Sequence, residues 1–407
     1  MELNHRSDKN ILQDFNVYII ISLTLIPIMG ELTIAPILPD LAKLFNVSLK
    51  EVQLVITIFF LPVIIATPIF GILGDRMGIK KLLVPSLLLY AVAGGYSAFA
   101  QDFQTLLWWR FIQGLGATSL NFMALTIISM MYRGKALTTV MSLNVGIIGI
   151  STTIFPIIGG VLGGFSWRYP FLLAVSAFPL LMLVLMVLKL PQKPSNSQNA
   201  NIKIYLQDTW NSINNPRVLK LLLTLGFIFA VQSGAFIIYI PILAGVNLGA
   251  SGLINGVILS SMSVSVTVVA LQLGKLTRRI SEINLIKIAF IIIAIALIMI
   301  PTIHNAWLLI IPCLLFGVGE ALAIPSSQAL LAELAVDNVR AGFMAVNAAV
   351  QSIAQVAGPL TAGIFFSLWG IQGVFWGTAG ITLATFALFN FLLSKSSLKD
   401  KKISREV

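Results

Sequence analysis

The chain has 407 residues, is 57% hydrophobic and 10% charged, and carries a formal net charge of +11 at pH 7. Soluble domains are about 25% charged, so this composition excludes an ordinary soluble protein. One cysteine, Cys313, and two histidines, His5 and His304, exclude an internal disulfide or thiolate cluster and leave too few ligands for a histidine metal centre.

In chain order, apolar runs reach the roughly 20 residues needed to cross a bilayer about twelve times: 17–38, 52–73, 82–100, 104–127, 139–163, 169–189, 218–240, 252–273, 284–303, 306–329, 341–366 and 372–393. The fold class this predicts is an all-α integral membrane protein. The first run is too long and too poorly flanked for a cleaved signal peptide and reads as a span. It ends in Gly30-Glu31-Leu32-Thr33-Ile34-Ala35-Pro36-Ile37-Leu38-Pro39, which places a carboxylate inside the membrane. With the N-terminus set in the cytoplasm, 22 of the 26 Lys and Arg lie in cytoplasmic tails or loops; Lys43, Lys50 and Arg168 fall outside and Arg110 falls within a span. That is the positive-inside bias, and it predicts cytoplasmic termini. The basic charge then reflects topology and attraction to anionic membrane lipid rather than nucleic-acid binding.

The polar stretch 191–216 divides the spans into halves, 1–190 and 217–394, followed by a basic tail, 395–407. The linker opens as a flexible tether, and Ile202, Tyr205, Leu206, Trp210 and Ile213 at helical spacing allow a short amphipathic helix as well. A shift of 203 residues places Gly71 on Gly274, Gly114 on Gly317, Gly116 on Gly319, Pro156 on Pro359 and Gly160 on Gly363. With an even number of spans per half, the repeat is parallel, a layout that places substrate sites between the halves at mid-bilayer.

Several motifs carry chemistry. The loop after the second span reads Gly71-Ile-Leu-Gly74-Asp75-Arg76-Met77-Gly78-Ile79-Lys80-Lys81. Gly74 and Gly78 can supply the positive φ of a sharp reversal, and Asp75 can pair with a helix N-terminus or an arginine, a latch whose release lets the halves rock. Gly71, Gly74, Asp75, Arg76 and Gly78 are the latch candidates. The fourth span holds Leu106-Leu-Trp-Trp-Arg110-Phe-Ile-Gln113-Gly114-Leu-Gly116-Ala117. The fifth holds Ser151, Phe155, Pro156, Gly159 and Gly160, and with Gly114 the last three are candidate helix-packing residues.

The loop signature and the arginine–glutamine–glycine run resemble those of the major facilitator superfamily, and the first-span stretch is similar to that of its twelve-span drug:proton antiporters. The fifth span departs from the antiporter pattern. Ser151 and Phe155 stand where the family has glycine, and the Phe155 ring predicts a looser helix approach there. The resemblance implies the major facilitator fold, two six-helix halves, no cofactor and a non-enzymatic transport role. It also implies that Glu31 and Arg110 act together in proton coupling: a carboxyl that meets the guanidinium in one conformation and loses it in another takes up and releases a proton. A fixed structural pair is the alternative.

Glu320, on the tenth span after Gly317 and Gly319, is a candidate counter-charge for a cationic substrate, a second proton carrier, or a hydrogen-bonding partner of a neighbouring helix. The two glycines thin the helix and could make room for a ligand. Other pocket candidates are Asn121, Asn144, Gln232, Tyr239, Asn347, Gln351 and Gln355, the last two sharing a face, with Phe59, Phe122, Phe227 and Phe236 as apolar wall. No zinc motif, Ser-His-Asp set or nucleotide loop is present in the sequence, which argues against an enzyme and for gradient-driven transport. The function expected is proton-coupled export of a lipophilic, cationic small molecule from a monomer in a bacterial inner membrane. Export of sugars or other metabolites, uptake by symport, and a membrane-embedded enzyme or sensor are the alternatives.

Overall fold

A computed structural model describes residues 14–77, 79–132, 134–188, 216–334 and 340–403. All regular structure among the described residues is helical. In hydrocarbon each backbone N–H and C=O must be satisfied within its own segment, which a helix achieves. The principal helices are α1 (Phe15–Leu32), α2 (Leu54–Met77), α3 (Ile79–Ser97), α4 (Phe103–Met131), α5 (Gly134–Phe165), α6 (Ala177–Met186), α7 (Pro216–Val231), α8 (Gly252–Leu276), α9 (Glu282–Met299), α10 (Ile310–Leu334) and α11 (Arg340–Ile403).

Among the described residues, ten stretches are long and apolar enough to cross a membrane. The 24-residue α2 is a further helix of spanning length. The stretch Ala349–Asn390 has 42 residues. At 1.5 Å per residue it would run to about 63 Å, roughly twice the hydrocarbon thickness, and so carries two spans. These join at Gly370, whose φ of 68° is a conformation that favours glycine. Large apolar side chains such as Leu271, Met186 and Phe165 are 77–82% exposed, a surface suited to lipid and costly in water.

Polar caps set several helix starts. The Asp14 carboxylate accepts from Asn16 N at 3.1 Å to begin α1, and Asp102 accepts from Thr105 N at 2.8 Å to begin α4. Ser48 and Glu51 form a reciprocal capping box just before α2. Lys80 Nζ donates to Leu185 O at 2.9 Å and Leu188 O at 3.1 Å, capping the C-terminal end of α6.

The first run is not one continuous helix. α1 stops at Leu32, Ala35–Ile37 forms a 3-10 turn, and a short helix resumes at Leu38–Leu44. Pro36 and Pro39 withhold the N–H groups that would carry the α-helix through. In the second half, the chain beyond α7 widens into π-helical turns over Gln232–Tyr239 and Leu243–Asn247, on either side of Pro241. The helix α2 runs through Gly71 and Gly74 to Met77, so Gly74 is helical rather than a turn residue. Gly78 lies outside the described residues, as does the amphipathic-helix candidate 202–213.

The chain divides into two compact units, Met1–Lys193 with Pro241–Ser260, and Pro194–Ile240 with Ser261–Val407. In the first, α4 packs on α2 and α3. A side chain at Gly114 would collide with the Phe59 carbonyl oxygen, and one at Gly116 would lie 2.7 Å from Ser86 O. In the second, α10 packs on α8 and α9 in the same way. A side chain at Gly317 would collide with Met262 O, and one at Gly319 would lie 3.2 Å from Ala289 O. Each of these residues maps to its counterpart by the 203-residue shift, so the repeat visible in the sequence is also a repeat of contacts. Gly317 and Gly319 therefore admit neighbouring helices. The expectation that they make room for a ligand is corrected, because a backbone already fills that space.

The segment Pro241–Ser260 packs on the first unit. A side chain at Gly256 would collide with Pro156 O, and one at Gly160 with Gly252 O. Asn255 Nδ2 bridges Pro36 O at 3.1 Å and Pro241 O at 3.3 Å. Ser260 Oγ donates to Thr153 O. On α5 a side chain at Gly159 would lie 2.6 Å from Thr33 C. The looser approach expected from Phe155 thus does not extend along the whole helix.

Candidate functional site

Two groups of buried polar side chains stand out, one in each unit. In the first, Arg110 on α4 is fully buried. Its Nε donates to Val55 O at 3.0 Å and its Nη1 to Gln113 Oε1 at 2.7 Å. The guanidinium lies 4.3 Å from the centre of the Phe59 ring, a cation–π distance. Its Nη2 has no hydrogen-bond partner among the described residues. A buried donor left unmade costs about 1–3 kcal/mol, more when charged.

Glu31 lies one residue beyond Gly30 on α1, partly buried. Glu31 interacts electrostatically with Arg110, whose hydrogen bonds go instead to Val55 and Gln113. Gln113 and Tyr90 also stand in this group. Tyr90 OH donates to Ile26 O at 2.7 Å. A side chain at Gly30 would collide with the Tyr90 hydroxyl and lie 3.5 Å from Gln113 Nε2. At Gly94 one would lie 2.6 Å from the same Nε2. Gly30 and Gly94 thus make the room that the Gln113 amide occupies. In the sequence Gln113 stood out only as part of the arginine–glutamine–glycine run, and Tyr90, one of two tyrosines in its span, was given no role.

In the second unit Gln232 Nε2 donates to Glu320 Oε1 at 2.8 Å. Glu320 is 8% exposed, and its Oε2 has no partner among the described residues. One turn along, Phe236 and Phe316 stack with ring centres 3.9 Å apart. The seam thus has a polar rung and an aromatic rung. The π-helical turn begins at Gln232, and such widenings recur at functional sites.

The remaining candidates are dispersed. Tyr239 packs on Phe366 at 5.5 Å, and Phe227 on Phe290 at 6.0 Å. Asn144 and Asn347, a further pair at the 203-residue shift, are 2% and 3% exposed, and in each Oδ1 lacks a partner among the described residues. Gln351 and Gln355 are partly buried on α11. Asn121 and Phe122 lie on α4, and Gly71, Gly74, Asp75 and Arg76 on α2, with side chains outside the described residues. No group of three or more His, Cys, Asp or Glu able to hold a metal occurs among the described residues.

The fold and its buried charges define a polytopic membrane transporter built from two helical repeats. The sequence profile described as Major Facilitator Superfamily matches residues 20–335 and 288–406, and the chain belongs to that family. It is 28% identical over 361 residues to multidrug resistance protein MdtG of Salmonella paratyphi C, covering 87% of this chain and 86% of that one. To MdtG of Citrobacter koseri it is 29% identical over 356 residues, covering 86% and 85%. Its fold is similar to that of a bacterial homologue of the lysosomal transporter Spinster, with a TM-score of 0.78 at 14% identity, covering 95% of this chain and 98% of that chain. The D-xylose–proton symporter gives a TM-score of 0.71 at 17% identity, covering 91% and 96%.

Proposed function

We propose that the protein exports a lipophilic organic cation by alternating access, driven by protons that Glu31 exchanges. One observation carries this reading: a membrane carboxyl interacts electrostatically with a fully buried arginine whose Nη2 lacks a partner among the described residues. A small rearrangement of Gln113 lets the ionised carboxylate meet that donor, and the reverse releases it to take a proton. Each proton returning down a 100 mV potential supplies about 2.3 kcal/mol. The relatives' designation as multidrug resistance proteins supports the cargo class. Glu320, with one oxygen held by Gln232 and the other without a partner among the described residues, suits the counter-charge of a cation. In this reading Asp75 belongs to a cytoplasmic latch and both termini face the cytoplasm.

The test is transport by proteoliposomes under an imposed pH gradient, across a panel of lipophilic cations, sugars and organic acids. Uphill movement of cations with proton counterflow, lost in Glu31→Gln, is the expected result. Undiminished uphill transport by Glu31→Gln removes the proton role, and transport of sugars alone replaces the cargo.

A further inference from the structure

Asn255, in the first turn of α8, is 1% exposed. Its Nδ2 donates to Pro36 O at 3.1 Å and to Pro241 O at 3.3 Å. A side-chain amide has two N–H hydrogens, and here each goes to a different break in the chain. Pro36 lies in the 3-10 turn that follows α1, and Pro241 lies between the two π-helical stretches. The flipped amide would set Oδ1 against both carbonyl oxygens, so the two acceptors fix the side chain's direction. Gly245 makes the room: a side chain there would lie 2.7 Å from Pro39 Cγ and 3.3 Å from Asn255 Nδ2.

By sequence Asn255 and Pro241 belong to the second repeat and Pro36 to the first. In the fold all three lie in the first compact unit. The joint around them is built from small residues. Gly160 meets the Gly252 backbone, Gly256 meets the Pro156 backbone, and Ser260 Oγ donates to Thr153 O. Parting such a joint disengages few long side chains. In hydrocarbon, apolar side chains gain little from a helix neighbour over lipid, so close backbone approach and interhelical hydrogen bonds hold helices together. Asn255 supplies bonds of that kind to both chain breaks at once.

We infer that Asn255 is a clasp: its amide ties the break in the first span to the break in the seventh and keeps the second-repeat segment 241–260 docked on the first unit. Without its two N–H donors the carbonyls of Pro36 and Pro241 lose their shared partner, and the docked arrangement is held by the glycine contacts and Ser260 alone. The clasp makes no bond to Arg110, Gln113, Gln232 or Glu320, so it acts on docking rather than on the contacts assigned to proton and cargo. That the segment undocks during transport rests on the alternating access proposed above; the docked geometry does not.

The experiment reads docking directly. Full-length protein in lipid nanodiscs carries nitroxide labels at two exposed positions, one from each repeat, through Lys43→Cys and Ser251→Cys with Cys313→Ala. Double electron–electron resonance then gives the distance distribution between them. With Asn255 intact the short-distance population should dominate. Asn255→Leu, close in shape but without an N–H, should raise the ratio of long-distance to short-distance population roughly tenfold, the effect of losing two hydrogen bonds between membrane segments. If the leucine variant does not fold, Asn255→Asp, which matches the amide in shape and cannot make both bonds, should shift the distribution the same way. A distribution identical to that with Asn255 intact, in every folded variant, overturns the clasp. A shifted distribution in a protein that moves no cation uphill in proteoliposomes keeps the clasp and discards the transport reading.

Discussion

Gln232 and Glu320 are joined by one hydrogen bond of 2.8 Å that leaves Glu320 Oε2 buried and without a partner among the described residues. The amide engages one carboxyl oxygen, and in the function proposed above the other receives the cation. Glu320→Gln should therefore raise KM for cationic cargo about tenfold or more, in line with a charge-assisted hydrogen bond of about 1.5–3 kcal/mol, and change neutral cargo little. Gln232→Ala should weaken both classes less. Initial rates in vesicles, compared across charged and uncharged substrates of similar size, decide this; equal losses would mean that Glu320 does not set charge selectivity.

Arg110 should not tolerate lysine. Its Nε bond to Val55 O, its Nη1 bond to Gln113 and its placement over Phe59 all use the planar guanidinium. Arg110→Lys is expected to abolish proton-coupled transport as fully as Arg110→Ala, with purified protein still monodisperse in detergent. Retained coupling in the lysine variant would show that charge alone suffices.

The repeat of contacts predicts a repeat of sensitivities. Gly114→Ala and Gly317→Ala each force a methyl into a facing carbonyl, and overpacking of this kind costs about 1–3 kcal/mol. Gly146→Ala and Gly274→Ala meet open space and should be near neutral. Thermal unfolding in detergent should separate the two pairs clearly.

The carboxylates outside the membrane give a pH dependence with a definite sign. Thr105 N–H and Oγ1–H, at 2.8 and 2.7 Å, hold the Asp102 carboxyl below the ordinary carboxylate range. The Ser48 hydroxyl and amide do the same for Glu51. A depressed value means the cap is fully present above the usual pKa of about 4 and is lost as pH falls through the lower folded value. Hydrogen exchange in the first turn of α4 should speed up in that acidic window, and Asp102→Ala should show fast exchange at neutral pH as well.

Asp75→Asn should slow turnover more than it weakens substrate binding, since a latch acts on the conformational step. Paired binding and transport measurements check this, and wild-type kinetics would remove the latch.

The sequence by itself determined the membrane class, the approximate spans, the family signature and the 203-residue repeat. These depend on composition, length and spacing, which the bilayer reads directly because hydrocarbon tolerates only apolar, internally hydrogen-bonded segments. It also flagged Glu31, Arg110 and Glu320, since each charge stands out against an apolar run. Only the tertiary structure decided their partners. Gln113 and Tyr90 stand near Arg110 because Gly30 and Gly94 leave space for them, and Gln232 meets Glu320 across 88 residues of chain. Gly317, expected to make room for a ligand, instead seats the Met262 carbonyl. The reason is the same in each case: a glycine or a buried amide announces only that something comes close, and which neighbour does so is fixed by the crossing of helices far apart in the chain.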